Sequence, residues 1–345
     1  MKLSAVLIII FLCIIKVASA CSVGFQQFQL SDNVSRPLDV TIWYPTSQNS
    51  ASISVSENIA FVGTKVIKNA SLPPKKHPLV LLSHGYRGSW RNLNWLANEL
   101  AIKGFVVAAP NHPGTTTFDH SALQASQWWQ RPHDLVRVLD HLLEDTAWRT
   151  VIDTESVSAI GHSMGGWSVM QLVGAKFDRN TFQKQCRLYP NPRTCGLGNE
   201  LGLTSPQPGE PKSFNFYDPR IKKAIILDLG LARSFSIESM SKVNTPVLIL
   251  GAGIDIGDLP QTMESGYLAE HLPLFNRHYK VYEQAMHFSF MQLCKPNAIA
   301  LIEEETPGDG IVCKDGAGIK RQELHTQIFK DILGFITYSQ QINHM

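Results

Sequence analysis

The sequence predicts an α/β architecture, a mostly parallel central sheet flanked by helices. Short apolar runs such as Leu79-Val80-Leu81-Leu82, Ala224-Ile225-Ile226-Leu227 and Val247-Leu248-Ile249-Leu250 read as strands covered on both faces. Helical patterns lie between them; Leu135, Val138, Leu139 and Leu142 recur at the spacing of one helix face. A fourth run, Val157-Ser158-Ala159-Ile160, leads into Gly161-His162-Ser163-Met164-Gly165, and Gly166–Val173 continues as a helix. Gly-x-Ser-x-Gly between strand and helix marks a sharp turn that exposes a serine hydroxyl.

Taken in order, the first strand is expected at Leu38–Tyr44 and a loop with one strand at 45–74. The Leu79–Ser83 strand comes next. Ser89 caps a helix through Ile102, which Gly104 stops. Phe105–Ala109 is the next strand, closed by Pro110, and Pro132 suits the first turn of a helix through Leu143. After the serine helix, Lys176–Lys212 is rich in Pro, Gly and Asn, and is read as a cap-like insertion over the site. The sheet resumes at 224–227, 247–250 and 279–282, and a last helix fits Glu323–Tyr338.

Serine needs a base to take its proton and an acid to orient that base. In this architecture the chain order is Ser, acid, His. His287, just beyond the last strand, is the expected base for Ser163. Asp255, in Gly251-Ala252-Gly253-Ile254-Asp255, is the favoured acid. Asp228, directly after the preceding strand, is the alternative, and Asp258 a third candidate. Both main loops lie at the carboxyl edge of the sheet, where ligands bind in open α/β folds. Attack on a carbonyl develops an oxyanion that two backbone N–H groups must meet. The sequence offers Met164 at the helix start and Tyr86 in Ser83-His84-Gly85-Tyr86-Arg87-Gly88. His84 and His162 read as structural hydrogen-bonding residues.

The chain has 345 residues, 44% hydrophobic, and a net charge of +2 with interspersed signs. No basic block points to nucleic acid. Lys2, the apolar run Leu3–Ile15 and Ala18-Ser19-Ala20 read as an export signal over residues 1–20, ahead of a hydrolase domain over 21–345. Cys186 with Cys195, and Cys294 with Cys313, are close in sequence and suit local disulfides in an oxidising compartment, although sequence leaves the connectivity open. Cys21 then stands at the position a bacterial lipoprotein lipidates, so secretion and a lipid anchor both remain readings.

Other signals are weaker. His112, Asp119 and His120 share a loop without zinc-type spacing. The glycines at 251–257 depart from the dinucleotide pattern. No metal or cofactor is expected. Trp128-Trp129 reads either as an acyl-binding wall or as core packing at a helix entry.

Several motifs together carry a family resemblance. Trp43-Tyr44-Pro45, Ser83-His84-Gly85-Tyr86-Arg87-Gly88-Ser89, Asn111-His112-Pro113-Gly114, Arg131-Pro132, Gly161-His162-Ser163-Met164-Gly165-Gly166 and Ala285-Met286-His287-Phe288-Ser289-Phe290 occur in this order. The chain resembles α/β-hydrolases of the platelet-activating-factor acetylhydrolase and dienelactone-hydrolase-like group. The resemblance implies the α/β-hydrolase fold and metal-free ester hydrolysis through a Ser-Asp-His triad. It implies substrates that range from short-acyl phospholipids to small or polymeric esters. It carries Ser163 and His287 over directly and splits on the acid: bacterial-type members place it at Asp255, the animal plasma enzyme's pattern at Asp228. Cys294 and Cys313 resemble the exported bacterial members. The expected function is therefore a secreted or lipid-anchored serine esterase. Its rivals are an inactive surface binding protein on the same scaffold, and an acyltransferase or peptidase with the same triad.

Overall fold

The computed structural model describes residues 22–257 and 260–338. The expected export segment, Cys21 and Asp258 lie outside the described residues. Ten strands form one sheet: β1 (Ser22–Leu30), β2 (Leu38–Thr46), β3 (Ile53–Val55), β4 (Thr64–Lys68), β5 (His77–Ser83), β6 (Val106–Pro110), β7 (Ile152–His162), β8 (Ile221–Leu227), β9 (Val247–Ile254) and β10 (Arg277–Met286). Their spatial order is β10-β9-β8-β7-β5-β6-β2-β1-β4-β3.

The half from β6 to β10 is parallel throughout, whereas β2 runs antiparallel to both β6 and β1. The expected parallel sheet is thus present, extended by a mixed edge. The apolar runs occupy its centre, with Leu79, Val80, Leu81, Ile160, Ile225 and Ile249 fully buried. Continuous apolar sequence is the consequence of that placement, because helices cover both faces and no strand face meets water. β1 carries no clear strand signal in the sequence. Its residues alternate only weakly in burial, as an outer strand beside an antiparallel partner does.

The helices that frame the site are α1 (Asn94–Ile102), α2 (Gln130–Glu144), α3 (Met164–Leu172), α4 (Arg179–Leu188), α5 (Pro192–Glu200), α6 (Ser265–His271), α7 (Ala298–Glu305) and α8 (Arg321–Thr337). The helix expected after Ser89 begins as one 3₁₀ turn, Trp90–Leu93, before α1. Asn92 accepts from the Ser89 N–H at 2.8 Å and closes that turn. On α2, Leu135, Val138, Leu139 and Leu142 are all buried, as their spacing predicts. Trp128 and Trp129 are buried in the same core, so packing is what these rings do.

The 176–212 segment is more regular than its composition suggests. Asp178 caps α4 through the Thr181 N–H, and Asn191 caps α5 through the Thr194 N–H with Pro192 in the first turn. A disulfide between Cys186 and Cys195 joins the two helices. A second links Cys294 to Cys313.

The β7-to-α3 turn is set by backbone crowding. A Cβ on Gly161 would lie 2.2 Å from the Gly165 carbonyl, and one on Gly165 only 2.0 Å from the Ser83 carbonyl oxygen. Both obstructions are main chain and have no soft end to move. We expect Gly165→Ala to cost at least about 3 kcal/mol or prevent folding, as urea unfolding or soluble yield would show. A near-wild-type unfolding midpoint would contradict this account of the turn.

Candidate active site

Ser163 is the residue between β7 and α3, with φ +55° and ψ −124°. That positive φ costs a non-glycine residue about 1–3 kcal/mol and persists where surroundings over-determine it. Here they do. The Ser163 N–H donates to Leu227 O at 3.0 Å, and its own carbonyl accepts from Trp167 N–H at 3.2 Å inside α3. The strain turns the side chain away from the sheet and toward a cavity of about 540 Å³.

His287 lines the same cavity. It comes directly after β10, in a 3₁₀ turn. Its Nδ1 lies 2.7 Å from Asp228 Oδ2. A carboxylate only accepts, so Nδ1 carries the proton and Nε2 is left as the acceptor. The acid at this imidazole is therefore Asp228, a correction to the expectation of Asp255. Asp228 Oδ1 also accepts from Ala252 N–H at 2.8 Å. Asp255 is exposed beyond β9, where its carboxylate accepts from Gly257 N–H at 3.0 Å. The reason is strand length. β8 stops at Leu227, in register with His162, so Asp228 leaves the sheet beside the serine turn. β9 runs on to Ile254 and carries Asp255 outward past the rim.

Gly85 and Tyr86, on the loop after β5, form the adjacent wall. A Cβ on Gly85 would approach Ser163 Cβ to 3.1 Å, so this backbone passes directly beside the serine. Met164 opens α3, where first-turn N–H groups have no intrahelical acceptor. The structure thus brings Ser163, His287, Tyr86 and Met164 to one cavity. His162 and His84 take the structural roles expected of them. His162 bonds through Nε2 to the carbonyl of His287 at 2.9 Å, and burial pulls its pKa down to about 3. His84 accepts from His112 N–H through Nε2. His112 itself spends its two ring nitrogens on Ser83 and Asp134.

Helix α5 forms one wall of the cavity, with Thr194, Leu197 and Glu200 in its lining. The Glu200 carboxylate receives the Tyr86 hydroxyl and, at 2.9 Å, Arg87 Nη2. Thr194 Oγ1 donates to the buried Glu264 at 3.0 Å, and the other oxygen of Glu264 accepts from Ala232 N–H. Sequence reasoning passed over Glu264. One acidic residue ahead of a short helix carries no signal of its own, and its importance comes from the elements packed around it.

The comparisons with known proteins agree with this architecture. Residues 39–179 match the family model described as PETase: PET hydrolase-like. A solved structure, ferulic acid esterase from Streptomyces cinnamoneus, superposes with a TM-score of 0.63 at 19% identity, covering 93% of this chain and 91% of that one. The chain has the α/β-hydrolase fold. Over 112 residues it is 32% identical to dipeptidyl-peptidase 5 of Aspergillus fumigatus and 33% identical to that of Trichophyton schoenleinii. Those matches cover 30% of the chain, which spans about 15% of the length of these curated relatives.

Burial raises the Glu264 carboxyl from its ordinary 4.5 to about 7. The folded protein therefore holds this proton where the unfolded chain has released it. The resulting stabilisation is complete below about pH 4.5 and is lost as pH rises through 7. We expect Glu264→Gln to remove on the order of 2–3 kcal/mol of this decline between pH 5 and pH 8, read from urea midpoints of both proteins. Parallel pH profiles for the two would refute it.

Proposed function

We propose that this α/β-hydrolase is a serine esterase that cleaves carboxylic esters through an acyl-enzyme on Ser163. The 2.7 Å contact of buried Asp228 with His287, which lines the same cavity as the strained serine, carries the reading. In this scheme Nε2 of His287 takes the Ser163 proton as Oγ attacks the ester carbonyl carbon. The Met164 and Tyr86 N–H groups meet the charge that develops on oxygen. Collapse of the tetrahedral intermediate expels the alcohol, which takes the proton from His287. Water then repeats the sequence on the acyl-enzyme and releases the acid. Asp228 keeps the imidazole in the tautomer this needs and offsets the charge of the imidazolium.

The substrate reading is a short or compact acyl group. The cavity is modest in size, and α5 covers it through Glu200 and Thr194. On this view 176–212 is the cap of one hydrolase domain over 21–345. Short-acyl phospholipids fall within the class, as do the esters of ferulic acid suggested by the ferulic acid esterase neighbour. Two disulfides suit an oxidising, extracytoplasmic compartment, and export through residues 1–20, with or without lipidation of Cys21, would deliver the chain there.

Hydrolysis of p-nitrophenyl acetate, butyrate and laurate tests the proposal. We expect acetate and butyrate to be preferred, and Ser163→Ala to lose at least about 10³-fold in kcat. Equal rates for Ser163→Ala and wild type would exclude the site. We further expect Asp228→Asn to lose about 10⁴-fold by comparison with the protease triad, with Asp255→Asn close to wild type. The reverse ranking would return the acid role to Asp255. Turnover of dipeptide anilides in preference to esters would favour a peptidase instead.

A further inference from the structure

Arg131, in the first turn of α2, is almost wholly buried, yet none of the three groups it donates to is a carboxylate. Its Nε donates to Ser168 Oγ at 3.1 Å, Nη1 to Thr115 Oγ1 at 2.6 Å, and Nη2 to the carbonyl of His84. The nearby acid, Asp134, is instead occupied by Arg36, at 2.9 and 2.7 Å, and by His112. Burial above all pulls the Arg131 guanidinium down to about 9. Burying a charge with neutral partners is costly, and an apolar side chain of similar volume would serve stability as well. The contacts indicate what the charge is held for.

Each of the three leads to one place. The Ser168 hydroxyl donates in turn to Met164 O at 3.0 Å, so this arm holds the first turn of α3. The His84 carbonyl lies in the peptide just before Gly85-Tyr86, so this arm holds the loop after β5. Thr115 donates to His112 O at 3.1 Å, and the His112 N–H donates to His84 Nε2 at 3.0 Å, which braces the same loop from behind. The two segments also touch directly where Gly165 packs on the Ser83 and His84 carbonyls.

We infer that Arg131 is a positioning residue that fixes the spacing between the two oxyanion-binding segments, the Gly85-Tyr86 backbone and the start of α3. It touches no substrate; it acts through Ser168, His84 and Thr115. This role rests on the proposed esterase reading and deepens it. Two donors on separate chain segments serve one oxygen only if their separation is held to a fraction of an ångström. A rigid planar fork with several donors does this, and a flexible ammonium does not.

The test uses Arg131→Met and Ser168→Ala in the full chain. Sites are counted by fluorophosphonate labelling, and kcat and KM are measured per labelled site. An aryl trifluoromethyl ketone, which forms a tetrahedral adduct on serine, serves as the probe of the oxyanion site. We expect Arg131→Met to lose about 10²-fold in kcat per site with KM nearly unchanged, and ketone affinity to fall in step with kcat/KM. Ser168→Ala cuts one arm and keeps the guanidinium, so it guards against misfolding of the first variant; a loss of about tenfold with the same pattern is expected. Wild-type kcat per site and ketone affinity in Ser168→Ala, or in folded Arg131→Met with only thermal stability reduced, would overturn the inference. Wild-type turnover that Ser163→Ala leaves intact would instead bring down the esterase reading, and the role of Arg131 with it.

Discussion

The close crossing of β5 and the start of α3 is the constraint on which the site depends. Gly165 sits so near the Ser83 carbonyl that no side chain fits between them. That contact forces the chain to reverse within one residue, and Ser163 accepts the strain. A looser crossing would let the turn relax to ordinary backbone angles and would withdraw the hydroxyl from the cavity. The same crossing places the Gly85 backbone against the serine and the helix start beside both. The geometry of the proposed nucleophile and that of the proposed oxyanion site are therefore one packing problem with one solution.

The parallel sheet supplies the other members. Its strands end on a common edge, and the first residues of the loop after each strand emerge there together. β8 gives Asp228 and β10 gives His287, and their meeting fixes the tautomer of the imidazole. Asp228 has positive φ too, at +42°, so two of the residues proposed for chemistry hold strained backbone. Strain of this kind survives because neighbouring strands hydrogen-bond to the strained segments. Ser163 bonds to Leu227, and Asp228 bonds to Leu250.

Around this centre lies a shell of buried polar groups that share a consistent proton arrangement. His84 accepts at Nε2 from a backbone amide, and His112 accepts at Nε2 while its Nδ1 faces Asp134. Burial depresses both imidazoles, so both are neutral at neutral pH. The 176–212 segment is held by a disulfide, by polar contacts through Glu200 and Thr194, and by Phe182, Leu201 and Leu203, which are buried in the main apolar core.

The α/β class, the positions of the core strands along the chain, the amphipathic face of α2 and the serine turn were legible in the residues alone. Each is encoded locally: apolar runs for covered strands, a 3.6-residue rhythm for a helix, glycines where backbones collide. The placement of His287 at the cavity was legible from chain order, and that of Tyr86 and Met164 from their positions beside that turn. The partner of the histidine was not, because Asp228 and Asp255 occupy equivalent loops and differ only in how far each strand runs before releasing the chain. Strand length at an edge is set by pairing with neighbours distant in sequence. Glu264, Glu200 and the three arms of Arg131 were hidden for the same reason. A buried charge has meaning only through its surroundings, and those come from segments that meet only once the chain has folded.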